Sequence, residues 1–375
     1  MQSTVIQLPI KPTLSRIWKL GVSCLILGLG SAAAKAQGND ERPDVTIDIP
    51  AATLAVNNLA REVDTHYHDV AGGTKLAAEL RKGLRSGRYN GTSAKGLAAT
   101  LTADLRRLSG DPHFRVDYFV TPRKFPADSG VNDPVSDADR RLTSRLQNFG
   151  FARVERLPGN VGYLKLDRFE MPSLAAQNAA AAMQLLSGTD ALIIDLRDNG
   201  GGYGAMATLL VSHLFEEQVH LTDRIGRTPA DLAQTWTMAV VPGPRYLEKP
   251  VYVLSGPRTF SAAEAMAYSL QSRKRAKIVG ETTRGGANTA ARMLLSSRFA
   301  AMVPNSRVKD VVTSTNWEGG LKPDVATSAA LSLPTAHLAA LEMIAPKHRD
   351  DPLTDEITKG IARLKAELSL AQPRQ

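Results

Sequence analysis

The segment Val251-Tyr252-Val253-Leu254-Ser255-Gly256-Pro257-Arg258-Thr259-Phe260-Ser261-Ala262-Ala263-Glu264 constrains the fold more than any other. Its four leading apolar residues read as a buried strand, and the amphipathic run after Ser261 reads as a helix. A strand and a helix joined by a sharp turn belong to an α/β architecture. The turn also gives Ser261 a special position. Its hydroxyl falls at a helix N-terminus, where backbone N–H groups point outward and the helix dipole favours negative charge. That setting suits a nucleophile with oxyanion donors beside it. Ser-x-x-Glu is also a capping box, in which Ser261 and Glu264 satisfy each other's backbone groups. The rest of the chain separates the two uses.

Asp195-Leu196-Arg197-Asp198-Asn199-Gly200-Gly201-Gly202 closes a second buried strand, Ala191–Ile194. Three glycines after a strand let the backbone turn tightly and turn N–H groups toward a bound oxygen. The pattern is not G-x-G-x-x-G, and no Gly-Lys-Ser/Thr follows, so nucleotide binding is unsupported. Gly201 and Ala262 are the expected halves of an oxyanion hole. Asp195 and Arg197 are expected to brace the turn.

Around these two strands the chain divides into segments. Residues 37–50 read as a flexible lead. Residues 51–112 read as about three helices, with Leu54, Leu59 and Val63, then Leu76, Leu80 and Leu84, then Leu97, Leu101 and Leu105 as apolar faces. Residues 113–334 alternate strand and helix and form the α/β core, with largely parallel strands. Its elements include a strand over Phe114–Val120, a loop over 121–138, a strand over Val161–Leu166, helices from Ser173 and from Ala205, and a strand over Lys277–Val279. Residues 335–375 form a helical tail.

Residues 1–36 have the form of an export signal: Lys11, Arg16 and Lys19 precede the apolar run Leu20–Leu29, and Ala34-Lys35-Ala36 fits a signal-peptidase site. The run is too short for a stable membrane span. Gly21, three residues before Cys24, does not suit lipid attachment. Cleavage after Ala36, into a periplasmic or secreted protein, removes Cys24, the only cysteine. Disulfides, cysteine nucleophiles and thiolate metal sites are then excluded. The formal charge is +9, and Lys11, Arg16, Lys19 and Lys35 carry four of those charges. The remaining basic residues are scattered without interleaved aromatics, so no nucleic-acid surface is indicated.

Taken together, "ALIIDLRDNGGG", "VYVLSGPRTFSAAEAMAYSLQ", "AKIVGETTRGGAN" and "TNWEGGLKPDV" resemble the C-terminal-processing (tail-specific) serine peptidases. The chain is most similar to their interphotoreceptor retinoid-binding protein-like branch, whose N-terminal domain "LTADLRRLSGDPHFRVDY" resembles. The resemblance covers most of residues 50–330. It implies an α/β fold with a ClpP/crotonase-like core and a small N-terminal helical domain. It also implies a serine nucleophile at Ser261, no metal or organic cofactor, and a peptide or protein substrate.

The chain departs from that family in one respect. Tail-specific proteases use a serine–lysine dyad, and the lysine position in Gly280-Glu281-Thr282-Thr283-Arg284-Gly285-Gly286 holds Gly286. Arg284 does not deprotonate. Lys274 and Lys277 lie beyond the far end of the helix, about 20 Å away at 1.5 Å per residue. Roughly 45 residues separate His113 from the first core strand, about half of what an inserted PDZ domain needs. In the similar tricorn-type branch a histidine and a distant glutamate replace the lysine. The matching positions are His113, in Asp111-Pro112-His113, and Glu318, in Trp317-Glu318-Gly319-Gly320; Pro112 stands where that branch has a linking serine. His66-Tyr67-His68-Asp69 is not expected to hold a metal, because i and i+2 on a helix face different ways. The alternative is a non-catalytic binding protein, since the retinoid-binding relatives show the same fold holding an apolar ligand; peptide ends are the other occupant it would suit.

Overall fold

The computed structural model describes residues 44–91, 93–122 and 137–371. The export signal, Cys24 and the cleavage position after Ala36 lie outside the described residues, as does most of the 121–138 loop.

Three helices come first: α1 (Ile49–His66), α2 (Val70–Arg85) and α3 (Ala94–Ser109). Asp48 starts α1 by accepting the Ala51 N–H at 2.7 Å, and Ser93 starts α3 by accepting the Gly96 N–H at 3.0 Å. Gly110 ends α3 in the left-handed conformation, φ 75°. Leu97, Leu101 and Leu105 are fully buried. On α1 the expected face is corrected: Leu54 is 53% exposed, and Ala52, Ala55, Val56, Leu59 and Val63 form the buried stripe. Small alanines let α1 lie close to its neighbours, which turns Leu54 outward.

The core carries β1 (Arg115–Tyr118), α4 (Asp137–Leu146), β2 (Phe151–Leu157), β3 (Val161–Leu166), α5 (Pro172–Leu186), β4 (Ala191–Asp195) and α6 (Gly204–Ser212). It continues through β5 (His220–Ile225), β6 (Ala233–Trp236), β7 (Val251–Ser255), α7 (Ala262–Ser272), β8 (Lys277–Gly280), β9 (Thr289–Ser296), β10 (Phe299–Asp310) and β11 (Val325–Ala326). Helices α8 (Ala329–Ile344) and α9 (Thr354–Leu370) end the chain, so the tail helices begin six residues before the expected 335.

Six strands form one sheet in the order β11-β8-β7-β4-β3-β2, parallel except for β2. Its central strands are apolar throughout because both faces are covered. Leu192, Ile194 and Val253 point to one side, into a core shared with α5, α6 and α7. Ala191, Ile193, Tyr252 and Leu254 point to the other, against α8 and α9.

A second sheet was not expected. It is antiparallel, in the order β1-β10-β5-β6 with β9 also on β10. The helices α1–α3 pack on it through Phe114, Val116, Leu295, Phe299 and Val303. Its strands lack the Val/Ile runs that mark the first sheet, and Pro304 interrupts β10 at an irregularity in the pairing with β9.

Arg273, just past α7, ties the two sheets together. Its guanidinium pairs with the fully buried Asp310 of β10 at 2.8 Å and donates to the His220 and Leu221 carbonyls of β5. Arg273→Ala leaves that carboxylate buried without its cation. The expected loss is about 3–5 kcal/mol of unfolding free energy, read from urea denaturation; a loss under about 1 kcal/mol means the tie does not hold the sheets.

Candidate active site

β4, β7 and β8 run parallel side by side, so the three loops at their C-terminal ends meet at one edge of the sheet. These loops carry Gly201 and Gly202, Ser261 and Ala262, and Gly285 to Asn288 respectively.

The first two loops are locked to each other. Thr259 is buried, and its hydroxyl donates to Leu196 O at 2.7 Å while accepting the Gly256 N–H at 3.0 Å. The Phe260 N–H donates to Asn199 O at 3.0 Å. The next residue, Ser261, is held at φ 55°. A non-glycine residue there costs on the order of 1–3 kcal/mol and persists only when its surroundings enforce it. Ser261 is partly exposed and lines a cavity of about 530 Å³, together with Ala262, Gly202, Gly286, Ala287 and Asn288.

Gly201 has φ 94°, and a Cβ there would lie 2.7 Å from Phe260 O and 3.0 Å from the Ser261 Cβ. Only glycine permits this approach. Its N–H, however, donates to Asn199 Oδ1 at 2.8 Å. Phe169 pairs with the backbone on either side of Gly202, accepting from Tyr203 N–H and donating to Gly201 O, each at 2.9 Å. That pairing leaves the Gly202 N–H directed away from Phe169. Asp195 braces the turn as its chemistry implies: fully buried, it takes the Arg197 guanidinium at 2.6 Å and the Tyr163 hydroxyl at 2.6 Å.

Glu264 does more than cap. It is fully buried, and its carboxylate accepts the Ser261 N–H at 2.8 Å, the Gly285 N–H at 2.7 Å and the Thr283 hydroxyl. Burial pushes its pKa up to about 7 against the pull of those three donors and of nearby His113.

His113 reaches the site from the end of α3. Its ring packs on Phe260, centroids 4.8 Å apart, and Arg284 lies 4.7 Å from the centre of the same ring. Nδ1 is 3.1 Å from Asp111 Oδ1. Nε2 is buried and has no hydrogen-bond partner, so the imidazole and the Ser261 hydroxyl are not bonded in this conformation. Asp111 is buried and also takes the Asn288 amide at 2.8 Å. Burial alone would raise the Asp111 carboxyl, but the hydrogen bonds from His113 and Asn288 hold it below its usual range. Asp111 and Asn288 were not singled out as site residues from the sequence. The available signal was Asp-x-His, two residues apart at a helix exit.

Gly286 sits where there is no room for a side chain. A Cβ there would lie 2.2 Å from the Phe260 ring and 2.8 Å from His113 Cε1. The two rings fill the place where a side chain would begin. Glu318 is exposed and takes the Ala287 N–H at 2.9 Å, and the neighbouring Trp317 Nε1 donates to Gly286 O at 2.9 Å. These two residues therefore strap the 285–288 loop.

Other candidates lie elsewhere. α1 ends at His66, so 67–69 is not helical; His66 faces Glu62 and His68 Nε2 lies 3.3 Å from Asn288 Nδ2. Among the described residues no group of three His, Cys, Asp or Glu is placed to hold a metal. No described helix is long and apolar enough to cross a membrane.

Residues 160–327 match peptidase family S41, and residues 49–144 match the N-terminal domain of Peptidase_S41 in eukaryotic IRBP. The chain is 32% identical over 131 residues to a carboxyl-terminal-processing protease of Synechocystis, covering 34% of this chain and 29% of that protein. It is 26% identical over 179 residues to the chloroplastic carboxyl-terminal-processing peptidase 2 of Arabidopsis thaliana, covering 46% and 34%. The chain thus spans about a third of the length of these relatives. The structure of a lipoprotein from Streptococcus agalactiae superposes with a TM-score of 0.54 at 14% identity, covering 80% of this chain and all of that one. The architecture is the expected mixed α/β one, a ClpP/crotonase-like core with a helical N-terminal region.

Glu264 yields a test of this geometry. Its folded-state pKa lies above the ordinary 4.5, so its contribution to stability is complete below pH 4.5 and is lost as pH rises through about 7. Urea unfolding from pH 4 to 8 is expected to show wild type losing about 3 kcal/mol relative to Glu264→Gln across that window. A difference that stays flat with pH means the carboxyl titrates as it does in water.

Proposed function

We propose, on the premise that the chain belongs to peptidase family S41, the family of the carboxyl-terminal-processing proteases, that it is an exported serine peptidase without a serine–lysine dyad. The carrying observation is Ser261, a strained serine that opens onto a cavity between two N–H-bearing turns. The Ser261 hydroxyl attacks a peptide carbonyl, and His113 Nε2 takes its proton. The Ala262 N–H is one oxyanion donor. Gly202, which lines the cavity, supplies the second in place of the expected Gly201, whose N–H is spent on Asn199. His113 then returns its proton to the leaving amine, and water hydrolyses the acyl-enzyme.

In this reading Asp111, not Glu318, keeps the Nδ1–H tautomer and stabilises the imidazolium. Glu318 acts on the loop that flanks it. The buried, unpartnered Nε2 of His113 is the proton acceptor that closure over a substrate brings to the hydroxyl. Export rests on the basic front, apolar run and Ala34-Lys35-Ala36 of the first 36 residues, and gives a periplasmic or secreted enzyme.

A second reading has one observation in its favour. Much of the cavity wall is apolar, including Val211, Leu221, Met238, Met266 and Val308, which also suits a carrier of apolar ligands. A fluorophosphonate probe separates the two. Labelling of wild type between pH 6 and 9, abolished in Ser261→Ala, is the peptidase result; no label on folded protein at any of these pH values is the carrier result. His113→Ala is expected to slow peptide hydrolysis at least about a hundredfold with an unchanged melting temperature. Turnover like wild type removes His113 from the mechanism. Gly286→Lys is expected to lower labelling rather than restore a dyad, because the new side chain displaces Phe260 and His113.

A further inference from the structure

We propose that His68 is a positioning residue: its neutral imidazole keeps the Asn288 amide on Asp111, Asp111 keeps the His113 ring, and a proton on His68 undoes the chain. This rests on the reading that His113 is the base for Ser261. The chain crosses three segments that are distant in sequence. His68 lies in the turn between α1 and α2, its N–H donating to Pro304 O of β10 at 3.0 Å. Asn288 lies in the loop between β8 and β9, on the wall of the cavity that Ser261 lines. Asp111 follows α3, two residues before His113.

The atoms leave one arrangement of protons. Asp111 divides its two oxygens. Oδ1 takes the His113 backbone N–H at 2.8 Å and lies 3.1 Å from Nδ1, and Oδ2 takes Asn288 Nδ2 at 2.8 Å. An ionised carboxyl only accepts, so the Asn288 atom facing it is the amide nitrogen. The same nitrogen lies 3.3 Å from His68 Nε2. An amide nitrogen only donates, so its second hydrogen goes to His68, and Nε2 offers a lone pair. His68 is then neutral, with its hydrogen on Nδ1. A protonated His68 carries hydrogen on both nitrogens. Nε2–H then opposes the Asn288 amide, donor against donor, and turning the amide over sets its oxygen against the Asp111 carboxylate. Neither orientation of Asn288 satisfies both neighbours. Nδ1 is buried without a partner, so the charge gains no bond there.

The groups around His68 favour the neutral form. They are Tyr67, its ring centroid 4.5 Å away, Asp69 beside it, Asp111 beyond Asn288, and Arg307 of β10. Burial lowers the His68 pKa most; Asp111 and Asp69 pull it up, Arg307 pushes it down, and it falls below the ordinary imidazole value. A histidine held neutral in the folded state keeps its bonds above that ordinary value, about 6.5, and loses them as pH falls through the lowered one. Glutamine at this position makes the same bond without titrating. Histidine adds acid sensitivity, exerted through the geometry of the base.

The test compares wild type, His68→Leu and His68→Gln in the full chain, with fluorescein-labelled β-casein as substrate. His68→Leu removes the acceptor and is expected to lower kcat about tenfold at neutral pH with KM unchanged, the loss of about one hydrogen bond in a charged network. His68→Gln supplies an acceptor oxygen and is expected to recover most of that loss. On the acid side, log kcat of wild type is expected to approach a slope of two protons, for His68 and His113, and that of His68→Gln a slope of one. Nitrogen-15 spectra of the imidazoles read the network without turnover: wild type shows the Nδ1–H tautomer at His68, and the His113 signals move in His68→Leu. The proposal is overturned by an unchanged kcat in His68→Leu, by His68→Gln no better than His68→Leu, by equal acid slopes, or by hydrogen on His68 Nε2 at neutral pH. The wild-type spectra decide if His68→Leu fails to melt cooperatively. Wild type that neither cuts casein nor takes a fluorophosphonate label sinks the peptidase reading instead; the network then stands on the His68 tautomer and the His113 shift, and falls without them.

Discussion

The buried carboxylate of Glu264 is the interaction on which the site is built. One side chain accepts from the backbone of Ser261, from the backbone of Gly285 and from the Thr283 hydroxyl. Thr283 in turn accepts the Leu321 N–H at 2.7 Å. A single carboxyl group thus joins the turn after β7, the loop after β8 and the segment leading to β11. Those segments also share backbone bonds, Thr283 N–H to Leu321 O and Arg284 N–H to Thr259 O, each at 3.1 Å. Burying a carboxylate is expensive unless its oxygens are hydrogen-bonded, and here that requirement fixes three loops at once. Ser261 keeps its strained φ because its N–H is held from one side and Phe260 N–H from the other.

The neighbourhood of position 286 is filled by side chains from other segments. The His113 ring and the Arg284 guanidinium both pack on Phe260, and Gly286 lies against the Phe260 and His113 rings with no side chain between. The histidine belongs to the helical segment, and its carboxylate partner Asp111 reaches the core through Asn288. The exit of the N-terminal helices therefore borders the site: it brings the imidazole that serves as base in the proposed mechanism. The 316–321 loop contributes from behind, with Trp317 and Glu318 holding Gly286 O and Ala287 N–H.

Legibility in the sequence followed burial. The parallel strands are apolar on both faces, so Ala191–Ile194 and Val251–Leu254 announced themselves as strands, and the glycines and serine after them marked the turns. Of the antiparallel sheet only β1 was legible, within the strand expected over Phe114–Val120; the rest was silent for the opposite reason. β5 and β6 are polar or half-exposed, and β9 and β10 are rich in alanine with Pro304 at an irregularity, so neither shows a period of two. Ser261, His113 and Glu318 could be named from motifs, but the hydrogen-bond partners could not. Nothing in the chain's order says that Gly201 spends its N–H on Asn199, that Glu318 turns to Ala287, or that Asp111 faces the imidazole. These are matters of a few degrees in a turn, which depend on contacts between loops distant in sequence. Glu264 shows the same limit from the other side. Its capping role is local and readable; its bonds to Thr283 and Gly285 are not.

The free Nε2 of His113 connects structure to mechanism. A buried imidazole nitrogen without a partner costs about 1–3 kcal/mol; His113 is one of several described histidines with such a nitrogen, and it is packed on Phe260 in the serine's own turn. Asp111 already occupies Nδ1, so the tautomer is set: Nδ1 carries the hydrogen and Nε2 offers a lone pair. A buried acceptor without a partner gains most from the first donor that reaches it, and on the proposed mechanism that donor is the Ser261 hydroxyl. On the proposed mechanism a bound peptide excludes water from the cavity and strengthens that new hydrogen bond at the same moment as it presents its carbonyl.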